Sequence, residues 1–120
     1  MTQAAAVGSH ILADLHGIPR EMLRDSGALE SLMRTAAIAA GCTVLGSHFH
    51  SFGDEDGVTG VVLLGESHLS IHTWPEFEFA AADIFMCGAA DTRKALEVLL
   101  AGLRPQQQTI KTEPRGRPID

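Results

Sequence analysis

The sequence lacks a long apolar run and contains only two cysteines. None of its apolar stretches approaches the ~18 residues that span a bilayer, so we expect no transmembrane helix. Cys42 and Cys87 are too few for the disulfide framework of a small secreted domain. The first ten residues, MTQAAAVGSH, include no basic residue, so we also expect no signal peptide and a cytoplasmic protein with reduced thiols.

Basic residues are also scarce. The chain has 9 Lys and Arg against 15 Asp and Glu, a formal net charge of −6. A surface that follows nucleic-acid phosphates needs clustered Lys and Arg, so nucleic acid is not an expected partner. The imbalance is uneven along the chain: residues 1–66 hold three Arg, no Lys and eight acidic residues, whereas residues 67–120 hold six basic and seven acidic residues.

The composition that remains is typical of one globular domain. The chain has 120 residues, of which 45% are hydrophobic and 20% charged. No internal repeat is visible, which argues against a repeat array. We therefore expect a single domain that spans residues 1–120.

Periodicity predicts six strands and two helices. Strands are expected where residues alternate or are β-branched and aromatic, and helices where apolar residues recur every three or four positions. The predicted strands are 9–16, 43–52, 58–64, 67–74, 77–87 and 106–112, and the predicted helices are 20–40 and 92–103, with Asp91 as the N-cap of the second. This order predicts an α+β two-layer sandwich, a mostly antiparallel sheet with two helices on one face.

The segment GESHLSIHTWPE, residues 65–76, concentrates polar side chains in a predicted strand. Burying so many hydrogen-bonding groups is costly unless they serve a purpose. One interpretation is a hydrolase in which Ser67 or Ser70 is the nucleophile and His68 or His72 the base. The G-x-S-x-G turn of α/β-hydrolases is absent, and the chain is short for that fold, so this interpretation is disfavoured.

A second interpretation is a metal site. His48 and His50 share one face of a predicted strand, His68 and His72 share a face of another, and Cys87 could add a thiolate. No C-x-x-C or H-E-x-x-H spacing accompanies them. For each histidine taken alone, a hydrogen-bonded strand residue is the better explanation, so we expect no bound metal.

A third interpretation comes from a resemblance spread along the chain. Residues Glu66–Leu69 and Ile71–Glu76 are similar to the self-cleavage segment of prokaryotic S-adenosylmethionine decarboxylase proenzymes, small pyruvoyl-dependent lyases of polyamine synthesis. Ser67, His72 and Cys87 stand at the family's spacing, five and twenty residues apart. Other matching motifs are Phe49-His50 with Phe52, Gly57–Val62, Asp83–Phe85 with Cys87-Gly88, and Arg115–Arg117.

The resemblance implies that the chain cuts itself between Glu66 and Ser67. In the family, the serine hydroxyl attacks the preceding carbonyl and forms an ester. Elimination then leaves dehydroalanine, and hydrolysis leaves a pyruvoyl group on the second fragment. The ketone forms a Schiff base with the substrate amine and accepts electrons when carbon dioxide leaves. The expected products are a β-chain, 1–66, and an α-chain, 67–120, and the change in charge density falls at the same bond. Decarboxylated S-adenosylmethionine is the aminopropyl donor for spermidine.

The family's residue roles carry over to matching positions. Ser67 is the pyruvoyl precursor, and His72 acts in processing as a base or hydrogen-bond partner. Cys87 assists processing and then donates a proton to the carbanion that decarboxylation leaves. Thr59 stands where the family usually has serine, a hydroxyl that assists the cyclic intermediate.

Three further positions, Phe52, Trp74 and Glu76, resemble the family's substrate-binding residues. A flat ring such as Phe52 stacks on adenine or meets the sulfonium cation. The loop Gly53–Gly57 is more acidic than the family pattern and one residue longer. This departure leaves two alternatives open. One is a pyruvoyl-dependent decarboxylase of arginine or ornithine, because negative charge favours a more cationic amine. The other is a non-catalytic homologue that holds a metal or another ligand, for which Thr59 in place of the family's serine is a further argument.

Strand geometry raises a difficulty for this chemistry. Alternation places Ser67 and His72 on opposite faces of a regular strand, although processing needs them close. We infer from the sequence that Ser67 sits in a turn or bulge between strands, permitted by Gly65. The resemblance also implies a homodimer of cleaved protomers with active sites near the subunit interface.

Overall fold

A six-stranded antiparallel sheet with helices on one face forms the protein. The computed structural model describes residues 6–116. The strands are β1 (Gly8–His16), β2 (Val44–Ser51), β3 (Val58–Leu64), β4 (Ser67–Trp74), β5 (Phe79–Cys87) and β6 (Gln107–Arg115), and they lie in the order β2-β3-β4-β5-β1-β6. The α-helices are α1 (Arg20–Leu23), α2 (Ser26–Ala39) and α3 (Thr92–Leu103). The predicted α+β sandwich is confirmed.

Several predicted boundaries agree with the structure. The bounds of β3, β4 and α3 are those that periodicity indicated. Asp91 caps α3, since its carboxylate accepts a hydrogen bond from the Lys94 backbone N–H at 3.0 Å. Strong apolar patterns and one unambiguous capping residue therefore located these elements well.

The predicted helix 20–40 is wrong as a single element, so the structure has three α-helices rather than two. Asp25 has an extended backbone, and its carboxylate accepts a hydrogen bond from the Ala28 N–H at 3.0 Å. An N-cap conformation of this kind ends α1 at Leu23 and starts α2 at Ser26. The side chain of Asp25 thus divides the predicted helix.

Two strand ends differ from prediction by two residues or more, and the others by at most one. Residues Pro75–Phe77 form a short 3-10 helix, so β5 begins at Phe79 instead of residue 77. Glu78 ends this turn in the left-handed region at φ 53°. The last strand continues to Arg115, because β6 stays paired with β1 as far as Gly8.

The two faces of the sheet differ sharply. On one face, α2 packs against β2 and β3 while α3 packs against β1 and β5, and this layer encloses the core. Gly102 in α3 has no side chain, so Leu32 of α2 can pack directly against its backbone. The opposite face bears no helix within residues 6–116. The register places all six histidines on that uncovered face: His10, His16, His48, His50, His68 and His72.

One buried polar side chain joins the sheet to the helical layer. Thr73 of β4 is 5% exposed. Its hydroxyl donates to the Leu23 carbonyl at the end of α1 at 2.5 Å and accepts from the Val58 N–H of β3 at 2.8 Å. Both backbone groups lose water on folding and depend on this hydroxyl for a partner.

Replacing Thr73 by valine keeps the side-chain volume and removes both hydrogen bonds. We expect the free energy of unfolding to fall by about 2 kcal/mol, since two buried backbone groups lose their partner. Urea denaturation measures this change. Thr109→Val, at an exposed position in β6, is the matched control and should change stability by less than about 0.5 kcal/mol. Equal losses in the two variants would show that the Thr73 contacts do not stabilise the fold.

Candidate active site

Ser67 is the first residue after a tight turn between β3 and β4. Leu64 pairs with Ser67, and Gly65 and Glu66 form the turn. The chain is thus interrupted before Ser67, although the interpretation from sequence differs in two details. Ser67 itself lies in the strand, and the left-handed residue is Glu66, with φ 68°, rather than Gly65. A left-handed backbone costs a non-glycine residue roughly 1–2 kcal/mol, so the turn holds strain at the predicted scissile bond.

The turn brings together three residues that we call the cleavage cluster: Glu66, Ser67 and Cys87. The Cys87 backbone N–H donates to the Ser67 hydroxyl oxygen at 3.2 Å. The Cys87 thiol donates to the Glu66 carbonyl oxygen at 3.0 Å. The hydrogen bond from the thiol polarises the Glu66 carbonyl group. The hydrogen bond from the Cys87 N–H orients the Ser67 hydroxyl. The cluster thus holds a potential nucleophile next to an activated carbonyl.

A cavity of about 310 Å³ opens beside this cluster, and it includes a cysteine that sequence reasoning did not select. Cys42 lines the cavity together with Ser67 and Cys87. Burial raises the pKa of the Cys42 thiol above its ordinary value, and the nearby charge of a Cys87 thiolate raises it further. Cys42 follows the end of α2, and no motif or periodicity around it in the sequence indicates that it lines a cavity.

A second group, the aromatic cluster, consists of Phe52, Thr59, His72, Trp74 and Glu76. Thr59 and His72 are direct cross-strand partners, and their Oγ1 and Nδ1 atoms are 3.1 Å apart. All five residues line a second cavity of about 380 Å³. The structure therefore gathers the predicted substrate-binding positions around the hydroxyl and imidazole predicted for processing.

The two clusters are separate within one chain. Ser67 and His72 are five residues apart on β4, a distance of about 17 Å along a strand. Their side chains also alternate to opposite faces, with Ser67 on the side of buried Leu69 and Ile71. The turn before Ser67 does not bring His72 to it, contrary to the proximity that we inferred from the sequence.

The hydrolase and metal interpretations gain no support from the geometry. The Ser70 hydroxyl donates to the Asp83 carboxylate at 3.2 Å, and the Ser67 oxygen accepts from Cys87, so neither serine bonds to a histidine base among the described residues. Across residues 6–116, no group of three or more His, Cys, Asp or Glu side chains is arranged to hold a metal ion. In the same range, no helix is long and apolar enough to cross a membrane.

Comparisons with known proteins agree on one family. The family model described as S-adenosylmethionine decarboxylase matches residues 9–116. An S-adenosylmethionine decarboxylase proenzyme of Sulfurihydrogenibium sp. is 43% identical over 111 residues, which cover 92% of this chain and 83% of the relative. An arginine decarboxylase proenzyme of Aeropyrum pernix is 42% identical over 106 residues, covering 87% and 80%.

A solved structure shows the same fold. The crystal structure of the adenosylmethionine decarboxylase from Aquifex aeolicus matches with a TM-score of 0.86 and 35% sequence identity. The match covers 94% of this chain and 93% of that structure. The likeness therefore extends over the whole sheet and its helical layer.

The raised pKa of Cys42 predicts slow alkylation. Iodoacetamide reacts with thiolates, and a raised pKa leaves fewer of them at pH 7.5. We expect native Cys42 to be modified more slowly than free cysteine, as measured by peptide mass spectrometry over time. In denaturant the same thiol should react at the rate of free cysteine. Native modification at that rate would contradict the raised pKa.

Proposed function

The chain belongs to the S-adenosylmethionine decarboxylase family, and from this premise we propose that it is a proenzyme that cuts itself between Glu66 and Ser67. The resulting α-chain, 67–120, would decarboxylate S-adenosylmethionine through a pyruvoyl group at position 67. The observation that carries the proposal is the cleavage cluster, in which one residue, Cys87, holds both the Ser67 hydroxyl and the Glu66 carbonyl.

The cleavage cluster accounts for the first step of self-cleavage. The Ser67 hydroxyl oxygen adds to the Glu66 carbonyl carbon, and the acyl group moves from the residue 67 nitrogen to that oxygen. Negative charge develops on the Glu66 carbonyl oxygen, where the Cys87 thiol already donates a hydrogen bond at 3.0 Å. Loss of the Ser67 α-proton then expels Glu66 as a carboxylate. Addition of water and loss of ammonia leave the pyruvoyl group.

The residues around position 67 fit a pyruvoyl group. Ser67 supplies its carbon atoms, and the adjoining cavity of about 310 Å³ leaves room for a substrate amine to approach. When formed, the group supplies the ketone and the electron sink that decarboxylation needs. Cys87, fixed beside position 67 at the end of β5, is the thiol that holds a proton for the substrate carbon.

The separation of the two clusters supports a homodimer with shared active sites. His72 and Thr59 cannot reach Ser67 of their own chain, yet processing requires a base beside it. The uncovered face of the sheet also exposes apolar side chains, with Leu12 at 38%, Leu63 at 53% and Trp74 at 38%. We propose a two-fold pairing that brings the aromatic cluster of one copy to the end of the sheet where the cleavage cluster of the other copy lies.

The aromatic cluster then provides the substrate site of the partner. Phe52 is 62% exposed and Trp74 lies on the uncovered face, so both rings are available to an adenine or a sulfonium group. Glu76 adds a carboxylate to the same cavity, where it suits the positive charge of the substrate. In this arrangement Thr59 and His72 face the scissile bond and the substrate of the opposite chain.

A second candidate activity is the decarboxylation of arginine by the same chemistry. The Aeropyrum pernix relative, an arginine decarboxylase proenzyme, is 42% identical to this chain. The acidic loop beside the aromatic cluster also suits a guanidinium group. Release of carbon dioxide from S-adenosylmethionine, arginine and ornithine in parallel assays distinguishes the candidates.

Self-cleavage predicts two fragments in the purified protein. Mass spectrometry should detect chains 1–66 and 67–120, the second with a carbonyl in place of its terminal amine. Ser67→Ala should leave the chain intact, because alanine has no hydroxyl to receive the acyl group. Ser70→Ala, which removes a hydroxyl bonded to Asp83 on the same strand, is the matched control and should still be cleaved. An intact wild-type chain would overturn the proposal.

Mixed dimers test whether the site is shared. Chains that carry His72→Ala should stay uncleaved alone, and so should chains that carry Ser67→Ala. When the two variants are co-expressed, the Ser67→Ala chain supplies His72 and the His72→Ala chain should be cut. Co-expression of the His72→Ala chain with a Ser67→Ala, His72→Ala double variant is the control and should give no fragments. Failure of the first pair to yield fragments would contradict the shared site.

A further inference from the structure

The loop between β2 and β3 carries three acidic residues, and they point to different places. Only Asp56 lines the cavity of the aromatic cluster, together with Phe52, Trp74 and Glu76. Glu55 points away, and its carboxylate accepts from Arg24 of the neighbouring helical layer at 2.9 Å. Asp54 lies outside the lining of the cavity. The loop therefore presents one particular carboxylate to the proposed substrate site.

The backbone of the loop holds Asp56 in that position. The Asp56 N–H donates to the Gly53 carbonyl at 3.1 Å, and the Phe52 N–H donates to the Gly57 carbonyl at 3.1 Å. Gly53 adopts φ 151°, and a side chain there would collide with the Asp56 carboxylate. The bare backbone of Gly53 thus leaves the space that the carboxylate occupies. The ion pair with Arg24 joins Glu55 to the helical layer on the outer side of the loop.

We propose that Asp56 is a specificity-determining residue that favours substrates with a positive charge next to the aromatic cluster. The cavity lining contains two carboxylates, from Asp56 and Glu76, and no Lys or Arg. Its electrostatic potential therefore attracts a cation, either the sulfonium of S-adenosylmethionine or the guanidinium of arginine. This inference rests on the proposed function and assigns to one side chain the preference for cationic over neutral ligands.

The decisive variant is Asp56→Asn, which keeps the shape of the side chain and removes its charge. For S-adenosylmethionine we expect kcat/KM to fall about fivefold, the upper range for a charge contact at an exposed position. S-adenosylhomocysteine has the same nucleoside but a neutral thioether, so its inhibition constant should change by less than twofold. The difference between the two ligands isolates the charge from the shape of the loop.

Asp54→Asn is the matched control, because it removes the same charge from the same loop outside the cavity. It should leave kcat/KM for S-adenosylmethionine within twofold of the wild-type value. The inference is overturned if Asp56→Asn and Asp54→Asn have equal effects. It is also overturned if Asp56→Asn weakens inhibition by S-adenosylhomocysteine as much as it lowers kcat/KM for S-adenosylmethionine. The loop would then act through its shape alone.

A parallel pair of ligands separates this inference from the proposed function. Arginine carries a positive charge and its isostere citrulline is neutral at the same position. The two differ in the same way as S-adenosylmethionine and S-adenosylhomocysteine. If the wild-type protein decarboxylates arginine instead of S-adenosylmethionine, the proposed function fails. A fivefold loss on arginine in Asp56→Asn, with citrulline inhibition unchanged, would still support the role of Asp56. If the wild-type protein decarboxylates S-adenosylmethionine and Asp56→Asn has the same kcat/KM, the proposed function holds and only the role of Asp56 fails.

Discussion

The alternation of side chains across an antiparallel sheet decides which residues of this protein can meet. Every second residue of the inner strands enters the core below α2 and α3, and the others stand on the uncovered face. A one-residue shift in register would exchange the two sets and bury histidines in place of aliphatic side chains. The register of β4 with β3 therefore fixes both the hydrophobic core and the pairing of Thr59 with His72.

The same constraint explains why the turn at Gly65–Glu66 matters. Ser67 points to the same side of β4 as the core residues Leu69 and Ile71. It lies at the end of the sheet, however, where the chain reverses and the cavity beside Cys87 opens. Glu66 takes a left-handed conformation, and its carbonyl oxygen accepts from the Cys87 thiol. The bond that we propose to break thus lies where the backbone is strained and where the sheet no longer shields it.

Much of this arrangement follows from local sequence patterns. An apolar run located β3 and regular alternation located β4 to the residue, and a capping aspartate located α3. The break at Asp25 was not predicted, because a capping side chain inside a helical period competes with propensity, and tertiary contacts decide the outcome. Alternation also indicated that Ser67 and His72 lie on opposite faces. The turn that we inferred is present immediately before Ser67, but it leaves five residues of strand between Ser67 and His72 and does not bring them together.

Loop side chains are the part that the sequence could not place. The acidic composition of residues 53–57 was plain, but the direction of each carboxylate depends on the turn around Gly53 and on the contact of Glu55 with Arg24, 31 residues away. Such non-local contacts have no periodic signal.

The two cavities are also small and open in one chain, because helices cover only one face of the sheet and few residues enclose a cavity on the other. In the homodimer that we propose, a second copy would supply the missing wall, and a cavity that loses water strengthens the effect of each carboxylate within it. The charge of Asp56 would therefore act in the assembled site at the upper end of the range that its exposure in one chain indicates.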